Sequence, residues 1–372
     1  MSSKLISTGI EFPDSSTQTT AATAGAANFS ALTDATVSTT DPATDTNPSA
    51  TGHHWINKTS GEYFVCTDNT TDENVWTNIG EGVDGVAPVW YGDRGVFAAG
   101  GAWAVGSNII DYITISTTGN AVDFGDLTAA RDFVTSCSNG TRGVFDGGND
   151  GTASNIIEYI TIATTGNATD FGDLTVARRG AGACSNGSRG VFGGGYSTAR
   201  LNVIDYITIA TVGNATSFGT LSVALLNNAA CSDGTKGVFG GGNADAGVVN
   251  TIEYITISTT GNAIDFGDLT SARSDLSACS DLTRGLFAGG GSSSNIIEYI
   301  TISTTGNAVD FGDLTVGRNG LAACSDGTKG VFGGGGAPDD VIDYITIQTT
   351  GNAVDFGNLT VARGGLAACA GT

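Results

Sequence analysis

From Val89 onward the same order of apolar and polar positions returns six times. One copy reads Leu321-Ala-Ala-Cys, then Ser325-Asp-Gly-Thr-Lys, Gly330-Val-Phe-Gly-Gly-Gly, Val341-Ile-Asp-Tyr-Ile-Thr-Ile and Val354-Asp-Phe-Gly-Asn-Leu-Thr. These short apolar runs, separated by Gly and Asn, predict extended strands, and no stretch has helical periodicity. The run around Tyr344 is apolar on both sides of its alternation, as in a strand covered on both faces. Asp326-Gly327 between two runs predicts a two-residue hairpin turn with both residues left-handed. The tyrosines Tyr112, Tyr159, Tyr206, Tyr254, Tyr299 and Tyr344 mark one point per copy, with periods of 47, 47, 48, 45 and 45 residues. Such a period indicates an array of four-stranded blades.

Closure can be read from the ends of the array. The first copy starts at Tyr91-Gly-Asp-Arg-Gly-Val-Phe without its innermost strand, and the chain finishes on Gly365-Leu-Ala-Ala-Cys-Ala, which is that strand. The expected fold is therefore an all-β, six-bladed propeller over residues 89–372, with Leu366 to Ala370 lying alongside Gly95 to Ala98. Closing the ring in this way removes exposed sheet edges. The order of small-residue strand, Gly pair, Tyr and aromatic resembles the kelch repeat, with Phe124, Phe171, Phe218, Phe266, Phe311 and Phe356 at the usual Trp position.

The first residues follow a different pattern. Phe12-Pro-Asp-Ser-Ser-Thr-Gln-Thr-Thr-Ala resembles the "F-P-D-G-T-x-Q-T-T-A" opening of bacteriophage tail-fibre and other virion proteins, with Ser15 at the usual Gly. Trp55-Ile-Asn-Lys-Thr-Ser-Gly-Glu-Tyr-Phe-Val-Cys and Asn74-Val-Trp-Thr-Asn-Ile-Gly resemble the small Trp-bearing β-hairpin module of the same proteins. The reading is thus a virion-anchoring or oligomerisation segment (1–27), a Thr/Ala/Asp-rich linker (28–52) and a small β module (53–82). Too small to be stable alone, that module would pack on copies of itself or on another virion protein, or cap the propeller's side.

Charge and residue supply narrow the function. The net charge of −22 repels phosphate backbones and argues against a nucleic-acid partner. Nowhere do eighteen apolar residues run together, and the N-terminus lacks a signal-peptide core, so the expectation is neither membrane insertion nor export by that route. Six of the seven cysteines (Cys137, Cys184, Cys231, Cys279, Cys324, Cys369) hold one repeat position, too far apart in neighbouring blades for disulfides. No C-x-x-C pair suggests metal, and both histidines lie outside the repeats, so no cofactor, metal or catalytic site is expected.

Repeat-locked acids (Asp111, Glu158, Asp205, Glu253, Glu298, Asp343) and arginines (Arg131, Arg178, Arg273, Arg318, Arg363) read as structural groups bonding between blades, with Leu225 replacing the sixth arginine. Function is sought where copies disagree, in the loops after the Gly pairs and at the starts of the innermost strands. Trp103 and Tyr196 are the candidate stacking aromatics; Asp132, Asp150, Arg179, Asn228, Asp245 and Asp275 are their candidate polar companions. Together these features imply a phage tail fibre or surface appendage on the virion, homo-oligomeric (a trimer), attached to other virion proteins by its N-terminus and binding a host-surface glycan or protein. The alternatives are a capsid decoration or spike without a receptor, and a polysaccharide-depolymerising enzyme.

Overall fold

A computed structural model describes residues 4–6, 9–11, 17–18, 35–40, 42–43, 46, 48, 51–57, 63–71, 75–80, 91–101, 106–336 and 339–372. The chain divides into two compact units, Met1–Ala87 and Pro88–Thr372. Among the described residues there is no helix.

In the first unit, Ala35–Ser38, His54–Asn57, Tyr63–Asp68 and Val75–Gly80 form one four-stranded sheet. Part of the stretch read as linker is therefore a strand, pairing parallel to His54–Asn57. Its neighbourhood is aromatic: the Trp55 and Trp76 rings meet edge-on at 5.8 Å, and Trp55 Nε1 donates to the Thr40 carbonyl at 2.8 Å. Most of the anchoring segment 1–27 lies outside the described residues.

The second unit is a six-bladed β-propeller. Blade 2 is typical: Thr135–Ser138 innermost, then Arg142–Asp146, Ile156–Thr161 and Thr169–Asp173, all antiparallel. Blades 3 to 6 follow in chain order. Blade 1 takes its innermost strand from the C-terminus, where Ala367–Gly371 pairs with Arg94–Ala98 in the register Ala367↔Ala98 to Gly371↔Arg94. The ring thus closes as the split repeat predicts.

The core is divided among the spaces between blades. Six apolar clusters each draw on two neighbouring blades; one combines Val96, Phe124 and Cys369 of blade 1 with Phe145 and Ile160 of blade 2. Adjacent residues of one strand serve opposite interfaces: Val96 faces blade 2, and Phe97 packs toward blade 6 where Gly333 makes room. A two-sided apolar strand follows directly from that division of labour. Each Tyr meets the Phe of its own blade edge-on at 5.9–6.1 Å. All seven cysteines are buried, and the sulfurs of the six in the propeller lie against a glycine of the next blade, as Cys369 does at Gly143.

Polar bonds repeat around the ring as regularly as the apolar contacts. The arginine ending each outer strand reaches into the next blade and pairs with the buried acid before its Tyr: Arg131–Glu158, Arg178–Asp205, Arg273–Glu298, Arg318–Asp343 at 2.7 Å and Arg363–Asp111 at 2.6 Å. Where Leu225 replaces the arginine, Glu253 is held by the Ser222 amide and hydroxyl, both at 2.8 Å. A second set of cations, such as Arg142 and Lys329, lies over the Tyr of its own blade and donates to carbonyls of the next. Buried pairs of this kind contribute little net stability but cost about 3–5 kcal/mol when one partner is lost, so they fix blade against blade.

One local expectation is corrected. In the innermost hairpins only one turn residue is left-handed (Gly327, φ 83°; in blade 5 Leu282, φ 77°), and the preceding Asp326 carboxylate accepts the amides of Thr328 and Lys329 at 2.8 and 2.6 Å. The turn is therefore centred on Gly327-Thr328. A side chain that caps amide groups of its own turn moved it one residue from the expected Asp-Gly centre.

Candidate functional site

The links from an outer strand to the next innermost strand gather at one end of the propeller axis. The fourth residue after each outer-strand arginine position begins an innermost strand, and the second makes a left-handed bend: Phe133, Gly180, Asn227, Asp275, Gly320 and Gly365, with φ from 51° to 66°. Each donates its N–H to the carbonyl of the one before it, from Gly180 N to Phe133 O (2.9 Å) around to Phe133 N to Gly365 O (2.7 Å). Six backbone hydrogen bonds thus form a closed hoop around the channel mouth.

Glycine adopts this conformation freely; a side chain there costs about 1–3 kcal/mol, least for Asn and Asp. Three of six blades use glycine and three do not. Phe133, Asn227 and Asp275 are accordingly the positions at which the repeat departs from its easiest residue. The Asn227 amide donates to Asp275 Oδ1 at 2.5 Å and the Ser274 hydroxyl to Oδ2 at 2.9 Å. Burial raises the Asp275 carboxyl above its usual range, and those two bonds oppose the shift.

Below the hoop is a chamber of about 120 Å³, narrowing at a waist of Ser136, Ala183, Ala230, Ala278, Ala323 and Ala368. A second chamber of about 100 Å³ beyond the waist is bordered by Tyr91. Burial drives the Tyr91 hydroxyl far up, opposed by its bond with Ser280. Lining the upper chamber beside Asn227 and Asp275 is Asn228, at a position that is Val134, Ala181, Leu276, Leu321 and Leu366 in other blades; its carboxamide lies against Gly182 and Gly194 of blade 3. Asn228 is 4% exposed, and neither end of its carboxamide has a protein partner among the described residues.

The loops after the Gly pairs do share this end with the strand starts: Arg179 and Tyr196 exchange two backbone bonds at 3.0 and 2.9 Å, as do Asp132 and Asn149 at 3.1 and 2.8 Å. Arg179 lies over the Tyr196 ring at 5.4 Å and the Phe133 ring at 5.9 Å. Sequence reasoning therefore reached Arg179, Tyr196, Asn228 and Asp275, which surround the mouth. It chose Asp132 in place of Phe133 and Asn228 without Asn227; the missed signal was glycine in three of six copies at one aligned position. Asp132 is buried, with Oδ1 unpartnered among the described residues.

The remaining candidates serve loop geometry. Asp150 accepts bonds from Thr152 of its own loop, and exposed Asp245 pairs with Arg200 at 2.9 Å. Trp103 lies outside the described residues. Among the described residues no three His, Cys, Asp or Glu side chains are grouped to hold a metal ion. The scan of protein-family models finds no match, and neither does the search of curated proteins.

Proposed function

We propose that this chain is a virion appendage of a bacteriophage, in tail-fibre fashion, whose kelch-like propeller holds a host-surface glycan at the channel mouth. The observation that carries the reading is the one-sided departure from sixfold repetition. Phe133, Arg179, Tyr196, Asn227, Asn228 and Asp275 all belong to blades 2 to 5 and surround one mouth, and three of them take a strained backbone. An aromatic pair beside amides and a carboxyl suits a pyranose, whose axial hydrogens stack and whose hydroxyls bond. The chamber is smaller than the ~300–1,000 Å³ usual for a drug-sized ligand, so the sugar would lie across the mouth with one substituent inside.

The N-terminal resemblance supplies the biological frame: attachment to other virion proteins, a homo-trimer, and several weak sites acting together. Binding, without turnover, is the proposed task. Glycan arrays and calorimetry with the full chain test it. The chain should bind at least one host-surface glycan without shortening it. The double variant Asn227→Gly and Asp275→Gly should keep its melting temperature, relieved of left-handed strain, yet lose binding. Binding to no glycan, or full binding by the variant, refutes the reading.

A further inference from the structure

The propeller's cations are almost all consumed by the fold. One set is paired with buried acids, another lies over tyrosines and donates to carbonyls of the next blade, and Arg200 bonds Asp245 and the Asn243 carbonyl. Arg179 is the exception. Among the described residues its guanidinium has no hydrogen-bond acceptor and no carboxylate within ion-pair range; its side-chain contacts are the rings of Phe133 and Tyr196. It is also off-repeat, standing where other copies carry Asp132, Leu226, Ser274, Asn319 and Gly364.

We infer that Arg179 receives the carboxylate of an acidic sugar at the channel mouth. This rests on the glycan-binding reading and names the class of glycan. Two aromatic rings flank the guanidinium, and none of its N–H groups bonds to the protein among the described residues, so they remain for a ligand. That planar fork matches a carboxylate with two parallel hydrogen bonds. A half-buried, unpaired cation held in place before binding also spends little conformational entropy when the anion arrives. Tyr196 and Phe133 offer apolar surface to the sugar ring, and Asn227 and Asp275 stand at the same mouth.

Matched oligosaccharides test the inference on the full chain: uronate- and sialate-terminated forms, each beside its carboxyl-reduced counterpart with a hydroxymethyl group instead. Wild type should bind an acidic form tenfold or more tightly than its reduced partner. Arg179→Ala should bind both alike and weakly, and Arg179→Lys, a point charge without the fork, should keep part of the preference; melting curves verify folding. Equal affinity for acid and reduced forms, or a preference that survives Arg179→Ala, overturns the inference while leaving the glycan reading intact. If the wider array shows no glycan bound at all, both fall.

Discussion

At the scale of single residues, the propeller breaks its repeat at a cost to the fold not only at the mouth but also in the interior of blade 2. Asp146 ends the second strand of blade 2, where the other blades carry Ala98, Gly193, Gly240, Ala288 and Gly333. It is 1% exposed, and neither carboxyl oxygen has a hydrogen-bond partner among the described residues. Desolvation pushes its pKa up to about 8; Arg178 and Arg131 pull it down, but both are already engaged with acids, and Asp205 adds repulsion. In the unfolded chain the group titrates near ~3.9. Below that pH both states are protonated and the linkage to pH vanishes, leaving only the cost of burying an unbonded neutral carboxyl. Between about 4 and 8 only the unfolded state ionises, so the folded state loses ground as pH rises, and above 8 the loss is constant. Asp146→Ala should therefore raise the melting temperature more at pH 8.5 than at pH 3.5. A difference that does not grow across that window would falsify the assignment. The sequence shows Asp146 as an odd residue at a small-residue position; it cannot show that both faces of that strand are covered, because the covering comes from other copies.

Between elements, the innermost strands are joined by a serine ladder. Ser138 donates to the Ala370 carbonyl (2.8 Å), Ser185 to Ser138 (2.7 Å), Ser232 to Ser185 (2.6 Å), Ser280 to Ser232 (2.7 Å) and Ser325 to Ser280 (2.6 Å). Ala370 has no hydroxyl to offer Ser325, so the ladder stops between the last copy of the repeat and the first. Other interblade devices do cross that seam: Arg363 pairs with Asp111, Asn358 N donates to Asn120 Oδ1 at 3.1 Å, and Lys329 donates to the Ile115 carbonyl at 3.0 Å. Ala370→Ser should complete the ladder and stabilise the propeller by about 0.5–1.5 kcal/mol, the usual worth of an added hydrogen bond. Chemical denaturation gives the answer, and an unchanged or lower midpoint means that the Ser325 carbonyl gains nothing from the hydroxyl. The period, the four strands and the borrowed strand were legible in the sequence because each is a pattern along one copy. The ladder was not, since a bond between equivalent residues of different copies leaves no spacing to read. The same limit applied at the mouth, where Phe133 and Asn227 matter through a hoop closed by six separate copies.

For the whole molecule, the pairing of cations between blades leaves a surface dominated by acid, in a chain of net charge −22. An anionic sugar approaching Arg179 must first cross that repulsive field, which extends about 10 Å at 0.1 M salt. Once docked it meets a guanidinium at contact distance, in a site that water and ions screen less. Ionic strength should act on both stages, with opposed effects on affinity. Raising salt from 20 to 150 mM should speed association, because screening removes the repulsion between like charges. Dissociation should also quicken, because the contact between guanidinium and carboxylate weakens. Surface plasmon resonance with an immobilised uronate oligosaccharide separates the two rates. If association slows as salt rises, the field around the mouth is attractive and the acidity of the molecule does not govern the encounter; if it quickens for the acidic sugar but not for its carboxyl-reduced counterpart, the long-range charge and Arg179 act on the same carboxylate at different distances.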